Sequence, residues 1–232
     1  MIRTGSFWIT GATNGLGLAL VMELLRQGQR VAASCNDSRL VESLTRDHGE
    51  RFLPLPWQLH DHARATEAAA QVQAVWGSLD GLIINAGTCD YLAPELPDDK
   101  VLEAIVTSNR QASSHCLVAA APLLANGNSP QIMAILSRYS AMQLHHPNQP
   151  LNASNSLAHW FREQRPALQA HGIDLTVVAP QSLQAPATAA HAVPEQWTAE
   201  TAAQVLVSSL PERESELVLE VWSLSSLWPL PQ

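Results

Sequence analysis

Seven short aliphatic and β-branched runs recur along this 232-residue chain, and a longer stretch with helical spacing follows each of them but the last. "SFWIT", "RVAASC", "RFLPLPW", "LDGLIINAG", "PQIMAILS", "IDLTVVAP" and "ELVLEVW" read as strands. The intervening helices are "LGLALVMELLRQG", "SRLVESLTRDHG", "ARATEAAAQVQAVWG", the long "DDKVLEAIVTSNRQASSHCLVAAAPLLANG" with Asp98 or Asp99 as cap, a fifth from Leu151 to about Gly172, and "TAETAAQVLVSSL". Strands that are apolar throughout, with no polar alternation, need cover on both faces, and helical crossovers make neighbouring strands parallel. The pattern predicts one α/β domain over 1–232, a mostly parallel seven-stranded sheet between two helical layers. The Pro- and Ala-rich segment 180–197 is the one long irregular connection and reads as a substrate-side loop. Residues 223–232 form an apolar tail outside the pattern, expected to pack on its own subunit or on a neighbour.

Charge and composition exclude several functions. A formal net charge of -8 argues against nucleic acid or an anionic membrane as partner, since either requires a clustered basic patch. No leader-like segment and no run long enough to span a bilayer is evident, so a cytoplasmic protein is expected. Cys35, Cys89 and Cys116 show no CxxC spacing and read as reduced core thiols. His60, His62, His145 and His146 fall in no HExxH or Cys/His framework, so no metal site is expected. Lys100 is the only lysine, and Tyr91 and Tyr139 are the only tyrosines.

Directly after the first strand comes Thr10-Gly11-Ala12-Thr13-Asn14-Gly15-Leu16-Gly17, opening a helix. Glycines at this spacing permit a tight strand-to-helix turn and bring backbone amides against a pyrophosphate at the helix N-terminus. The TGxxxGxG spacing, with Asn85-Ala86-Gly87 ending the fourth strand, resembles the short-chain dehydrogenase/reductase family over nearly the whole chain. That resemblance implies a Rossmann-like, doubly wound sheet and NAD or NADP as cofactor. It implies cofactor contacts from Gly11, Asn14, Gly15, Leu16, Gly17, Asn85, Ala86 and Gly87. It also implies that Asn109, in the long helix, holds a water of the proton relay.

The family's reactive residues are absent from their positions. Its fifth strand ends in a serine pair whose second member polarises the substrate carbonyl; here the pair reads Ser137-Arg138. Thirteen residues on, the family's Tyr-x-Ala-Ser-Lys reads Leu151-Asn152-Ala153-Ser154-Asn155. The retained Ala-Ser keeps the register, so leucine stands for tyrosine and asparagine for lysine. Carbonyl reduction needs a proton donor at the developing alkoxide, and an ammonium one helical turn away lowers a phenol's pKa enough to serve. Leu151 has no proton to give, Asn155 has no charge, and Arg138 does not deprotonate. Losing a general acid costs about 10²–10⁴ in rate.

The cofactor edge is altered too. At the end of the second strand an acid takes the ribose hydroxyls and a base takes a 2′-phosphate; Cys35 and Asn36 are neither, and Asp37 reads as a helix cap. Gln58 stands where the family has an adenine-contacting aspartate, and Pro180-Gln181 and Ala185 replace its Pro-Gly and threonine at the nicotinamide. Weak dinucleotide binding or none is expected, with the preference between NAD and NADP open. Three readings follow. One is a catalytically silent member acting as non-catalytic subunit, scaffold or sensor of a small-molecule ligand, in a homo-oligomer or paired with an active homologue. The second is an active oxidoreductase using Tyr139 or Tyr91 as acid. The third is an enzyme of another reaction class using Arg138 or His145 in the old cleft.

Overall fold

The computed structural model describes residues 4–55, 59, 61–85, 99–136, 157–182 and 198–221. Seven strands among them form one sheet: β1 (Ser6–Ile9), β2 (Arg30–Ser34), β3 (Phe52–Leu55), β4 (Gly81–Ile84), β5 (Gln131–Ile135), β6 (Asp174–Ser182) and β7 (Glu216–Val221). Their order is β3-β2-β1-β4-β5-β6-β7, and every described pairing is parallel. The helices are α1 (Gly15–Arg26), α2 (Ser38–His48), α3 (His62–Trp76), α4 (Asp99–Ala125), α5 (Leu157–Gln169) and α6 (Ala199–Ser209).

The strands bury side chains on both faces, as their unbroken apolar character demands. On β1, Phe7 and Ile9 pack into one core with Leu20 and Leu24 of α1, Leu44 of α2 and Leu206 of α6. Trp8, pointing the other way, joins Val72 of α3, Leu117 of α4 and Phe161 of α5. Trp8 is fully buried, and its Nε1 donates to Ser34 Oγ at 3.1 Å, which satisfies the one polar atom of the indole. Each large aliphatic side chain so buried stabilises the fold by roughly 1.5–3 kcal/mol. No helix among the described residues is long and apolar enough to cross a membrane.

Helix α4 starts at Asp99, and Asp98, the other residue read as its cap, lies outside the described residues. Two boundaries differ from those read in the sequence. Helix α5 ends at Gln169, and a turn through Gly172 (φ 71) carries the chain into β6. Strand β6 runs past Pro180 to Ser182, taking three residues from the connection assigned to 180–197. Val178 gives its carbonyl to Leu136 N on the β5 side. Pro180, two residues on, faces that same side beyond the last paired residue of β5, so its missing N–H breaks no ladder bond. The far side of β6 stays paired with β7 through Ser182 and Val221.

Candidate functional site

The strand order reverses direction between β1 and β4, and ligands of open α/β sheets bind at such a crevice, beyond the carboxyl ends of the strands. The glycine turn leaves β1 there, and Asn85 leaves β4 beside it. Gly11 adopts φ 61, a left-handed conformation that glycine reaches without strain. A Cβ on Gly17 would collide with the Gly11 carbonyl oxygen and lie 2.6 Å from Asn85 Nδ2, so the helix start approaches the turn as closely as it does only because no side chain intervenes.

Hydrogen bonds hold the turn from three directions. Thr10 N donates to Ile83 O at 3.0 Å, and Asn85 N donates to Thr10 Oγ1 at 2.9 Å. Asn85 Nδ2 donates to Gly11 O at 3.2 Å. Ala12 N donates to Ser34 O at 3.1 Å, and Thr13 Oγ1 to Asn36 Oδ1 at 2.8 Å, which ties the turn to the end of β2. Leu16, fully buried, anchors the first turn of α1 in the core.

Asn14 caps α1 with an extended backbone, and its side chain makes no capping hydrogen bond. The first α-helical bond described runs from Leu18 N to Asn14 O, 3.2 Å. The N–H groups of Gly15, Leu16 and Gly17 precede that ladder and are among the orphan donors of a helix start, whose partial positive charge favours an anion. A pyrophosphate fits this cradle, because the N–H donors at the start of α1 are available to it.

Of the residues assigned from the sequence, Gly11, Asn14, Gly15, Leu16, Gly17 and Asn85 thus converge. Asn109 is buried in α4, in the half that starts at the carboxyl end of the sheet; its relay role stays an implication of the resemblance. Gln58, Ala86, Gly87, Tyr91, Arg138, Tyr139, His145, Leu151, Asn155 and Ala185 lie outside the described residues. Asp37 is the N-cap of α2, its carboxylate accepting from Leu40 N at 3.1 Å, as its position suggested. Sequence reasoning missed the structural parts of Thr10 and Thr13; the only available signal was their place at the start and inside the glycine motif.

Cys35 and Cys116 are buried and free, and burial pushes the Cys116 thiol up to about 12, so it stays protonated and does not act as a nucleophile. No group of three or more His, Cys, Asp or Glu among the described residues is placed to hold a metal.

Comparison with known proteins agrees with this geometry. The cis-2,3-dihydrobiphenyl-2,3-diol dehydrogenase of a Pseudomonas species is 34% identical over 95 residues, 40% of this chain and 34% of that protein. That of Paraburkholderia xenovorans is 30% identical over 132 residues, 55% and 48% of the respective lengths. The chain spans between about a third and a half of these relatives. Among solved structures, an NADPH-bound carbonyl reductase from chicken fatty liver superposes with a TM-score of 0.73 at 21% identity, covering 94% of this chain and 97% of that one. A short chain dehydrogenase from Burkholderia cenocepacia in complex with NADP gives 0.71 at 21% identity, with 94% and 89% covered. At such identities the superpositions establish the fold. The sequence model described as short chain dehydrogenase matches residues 7–196, a span that holds both the glycine turn and Asn85, and the chain belongs to that family.

Proposed function

We propose that this chain is a dinucleotide-binding member of the family that has lost dehydrogenase chemistry and works as a non-catalytic subunit or ligand sensor. One contrast carries the reading: the glycine cradle is built and braced by Asn85, while the sequence holds Leu151 and Asn155 where the family holds its acid and its ammonium. Gly11, Gly15, Leu16 and Gly17 would hold the pyrophosphate of NAD or NADP, which when bound supplies or takes a hydride. Leu151 has no proton to deliver to an alkoxide, and Asn155 has no charge with which to shift the pKa of a neighbour. Arg138 offers a fixed charge, suited to clamping an anion and unsuited to moving a proton.

A second reading, an active oxidoreductase with Tyr139 or Tyr91 as acid, draws support from the 34% identity to a dihydrodiol dehydrogenase. One experiment separates the two. Calorimetric titration of the purified chain with NADH and NADPH is run beside a turnover assay on a cis-dihydrodiol and on a ketone. Binding without turnover is the expected outcome. Turnover at the usual enzyme rate of about 1–10³ s⁻¹ overturns the proposal.

A further inference from the structure

We propose that the cleft at the amino ends of β1, β4 and β5 is a second small-molecule site, which takes a neutral, planar, nucleobase-like ring. It lies at the opposite end of the sheet from the glycine turn and does not depend on what binds there. Its volume is about 290 Å³, at the small end of ligand pockets. Phe7 pairs with Gly81 and Gly81 with Gln131 in the parallel register, so the three stand in a row on one face of the sheet. Gly81 brings no side chain, and the Phe7 ring leans into the space left: a Cβ on Gly81 would collide with that ring. Leu24 of α1, Val207 of α6 and the buried Leu210 complete an apolar wall.

Gln131 is the residue that calls for a ligand. It is only 8% exposed, yet no described residue hydrogen-bonds its side-chain amide. Native interiors seldom leave an amide so, because an unpaired buried donor or acceptor costs stability. Gln131 lines the cleft and its amide is not sealed from solvent, so that amide faces the opening. The charges at the mouth are already answered. Asp80 accepts from Ser6 N at 2.9 Å and from Asn128 N at 2.7 Å. Arg213 donates to Ser129 O at 2.7 Å and to Asp174 Oδ2 at 3.2 Å. An ion entering would find no free counter-charge, which selects a neutral occupant. The Gln131 amide offers C=O and N–H side by side. Its complement is an N–H beside an acceptor on one ring edge, the pattern that glutamine reads on adenine. The neighbouring Phe7 ring favours a flat partner. Gln29 Oε1 accepts from Gly5 N, which leaves Gln29 Nε2 as a further donor at the rim. Ser129 (φ 52) and Arg213 (φ 55), the two non-glycine residues with left-handed backbone among those described, both line this cleft. Backbone strain of that kind gathers at functional sites.

The test is calorimetric titration of the full chain with uracil and with 1,3-dimethyluracil, the same ring without an N–H. Uracil is expected to bind about tenfold more tightly or better, the scale of one or two hydrogen bonds. Saturating NADPH leaves uracil binding unchanged, since the two sites lie at opposite ends of the sheet. Gln131→Met keeps the length and apolar stem of the side chain and removes the amide. It abolishes uracil binding while the denaturation midpoint holds or rises. No binding of uracil, equal binding of the two rings, displacement by NADPH, or a Gln131→Met variant that still binds overturns the proposal. A Gln131→Met protein that is less stable than the parent, or that fails to fold, shows the amide serving the fold and overturns it as well.

Discussion

The side-chain amide of Asn85, at the end of β4, donates to the carbonyl oxygen of Gly11, at the end of β1, across 3.2 Å. Two residues separated by 74 positions thereby close the switch point of the sheet, and the backbone N–H of Asn85 adds a second link through Thr10 Oγ1. Asn85 is buried, whereas Gly11 is exposed, so water can meet the carbonyl that loses this partner. Asn85→Ala is expected to destabilise the fold by about 0.5–1.5 kcal/mol, the net worth of an ordinary hydrogen bond. Chemical denaturation read by far-UV circular dichroism checks this; an unchanged midpoint would mean that the turn is held by β1 and β2 alone.

Gly17→Ala tests the cradle itself. The added methyl meets the Gly11 carbonyl, a backbone atom that cannot swing aside, as well as Asn85 Nδ2. Overpacking of this kind costs about 1–3 kcal/mol, with larger values where backbone must move. Binding of NADPH should fall as well, since displacing the Gly11 carbonyl shifts the turn that carries the amides toward the pyrophosphate. A folded Gly17→Ala protein that binds dinucleotide as the parent does would contradict the placement of the ligand at this turn.

Restoring the missing groups addresses the chemistry. Leu151→Tyr alone is expected to yield little, because an unassisted phenol has a pKa near about 10 and rarely serves as an acid or base at neutral pH. Combined with Asn155→Lys and Arg138→Ser, it should raise carbonyl-reductase turnover by about 10²-fold or more over the parent, with effects that do not add singly. A parent as active as the triple variant under steady-state assay would mean that another residue already supplies the proton.

The strands and helices were legible because burial on two faces imposes a pattern that no other arrangement needs. Apart from the buried Gln131 at the start of β5, "GLII" and "QIMAI" carry no polar residue, and their neighbours in the sequence carry the helical period. The glycine turn was legible for a similar reason: few backbones need Gly11 and Gly17 at that separation. What escaped was local and aperiodic. The hydroxyl of Thr13 and the amide of Asn36 lie 23 positions apart, and nothing in either residue's surroundings announces that they bond. The extension of β6 through Pro180 was hidden because proline ordinarily ends a strand, and only the early finish of β5 makes it harmless.

A cluster joining α5 to β7 makes stability depend on acid pH. Arg162 grips Glu216 with two hydrogen bonds, 3.0 Å from Nε and 3.2 Å from Nη2, and Arg165 adds a third at 3.0 Å while also donating to Ser215 O at 2.8 Å. Partial burial acts to raise the Glu216 pKa, but the two guanidiniums together outweigh it and hold the carboxyl below its ordinary 4.5. A carboxylate with a depressed folded pKa contributes its stability in full above the unfolded value, and that contribution is lost as pH falls through the folded one. Glu216 is about a third exposed, so solvent screens the cluster and limits its worth. Glu216→Gln should therefore destabilise the protein by only about 0.5–1 kcal/mol at neutral pH. The gap between variant and parent, present at neutral pH, should narrow at acid pH as the pH falls below 4.5 and through the lowered folded pKa, where the parent's carboxyl takes up its proton. Urea midpoints at the two pH values, with and without added salt, measure it. A gap that persists undiminished in acid would place the effect of the Glu216→Gln change in packing and not in charge, since only the ion pair is sensitive to protonation.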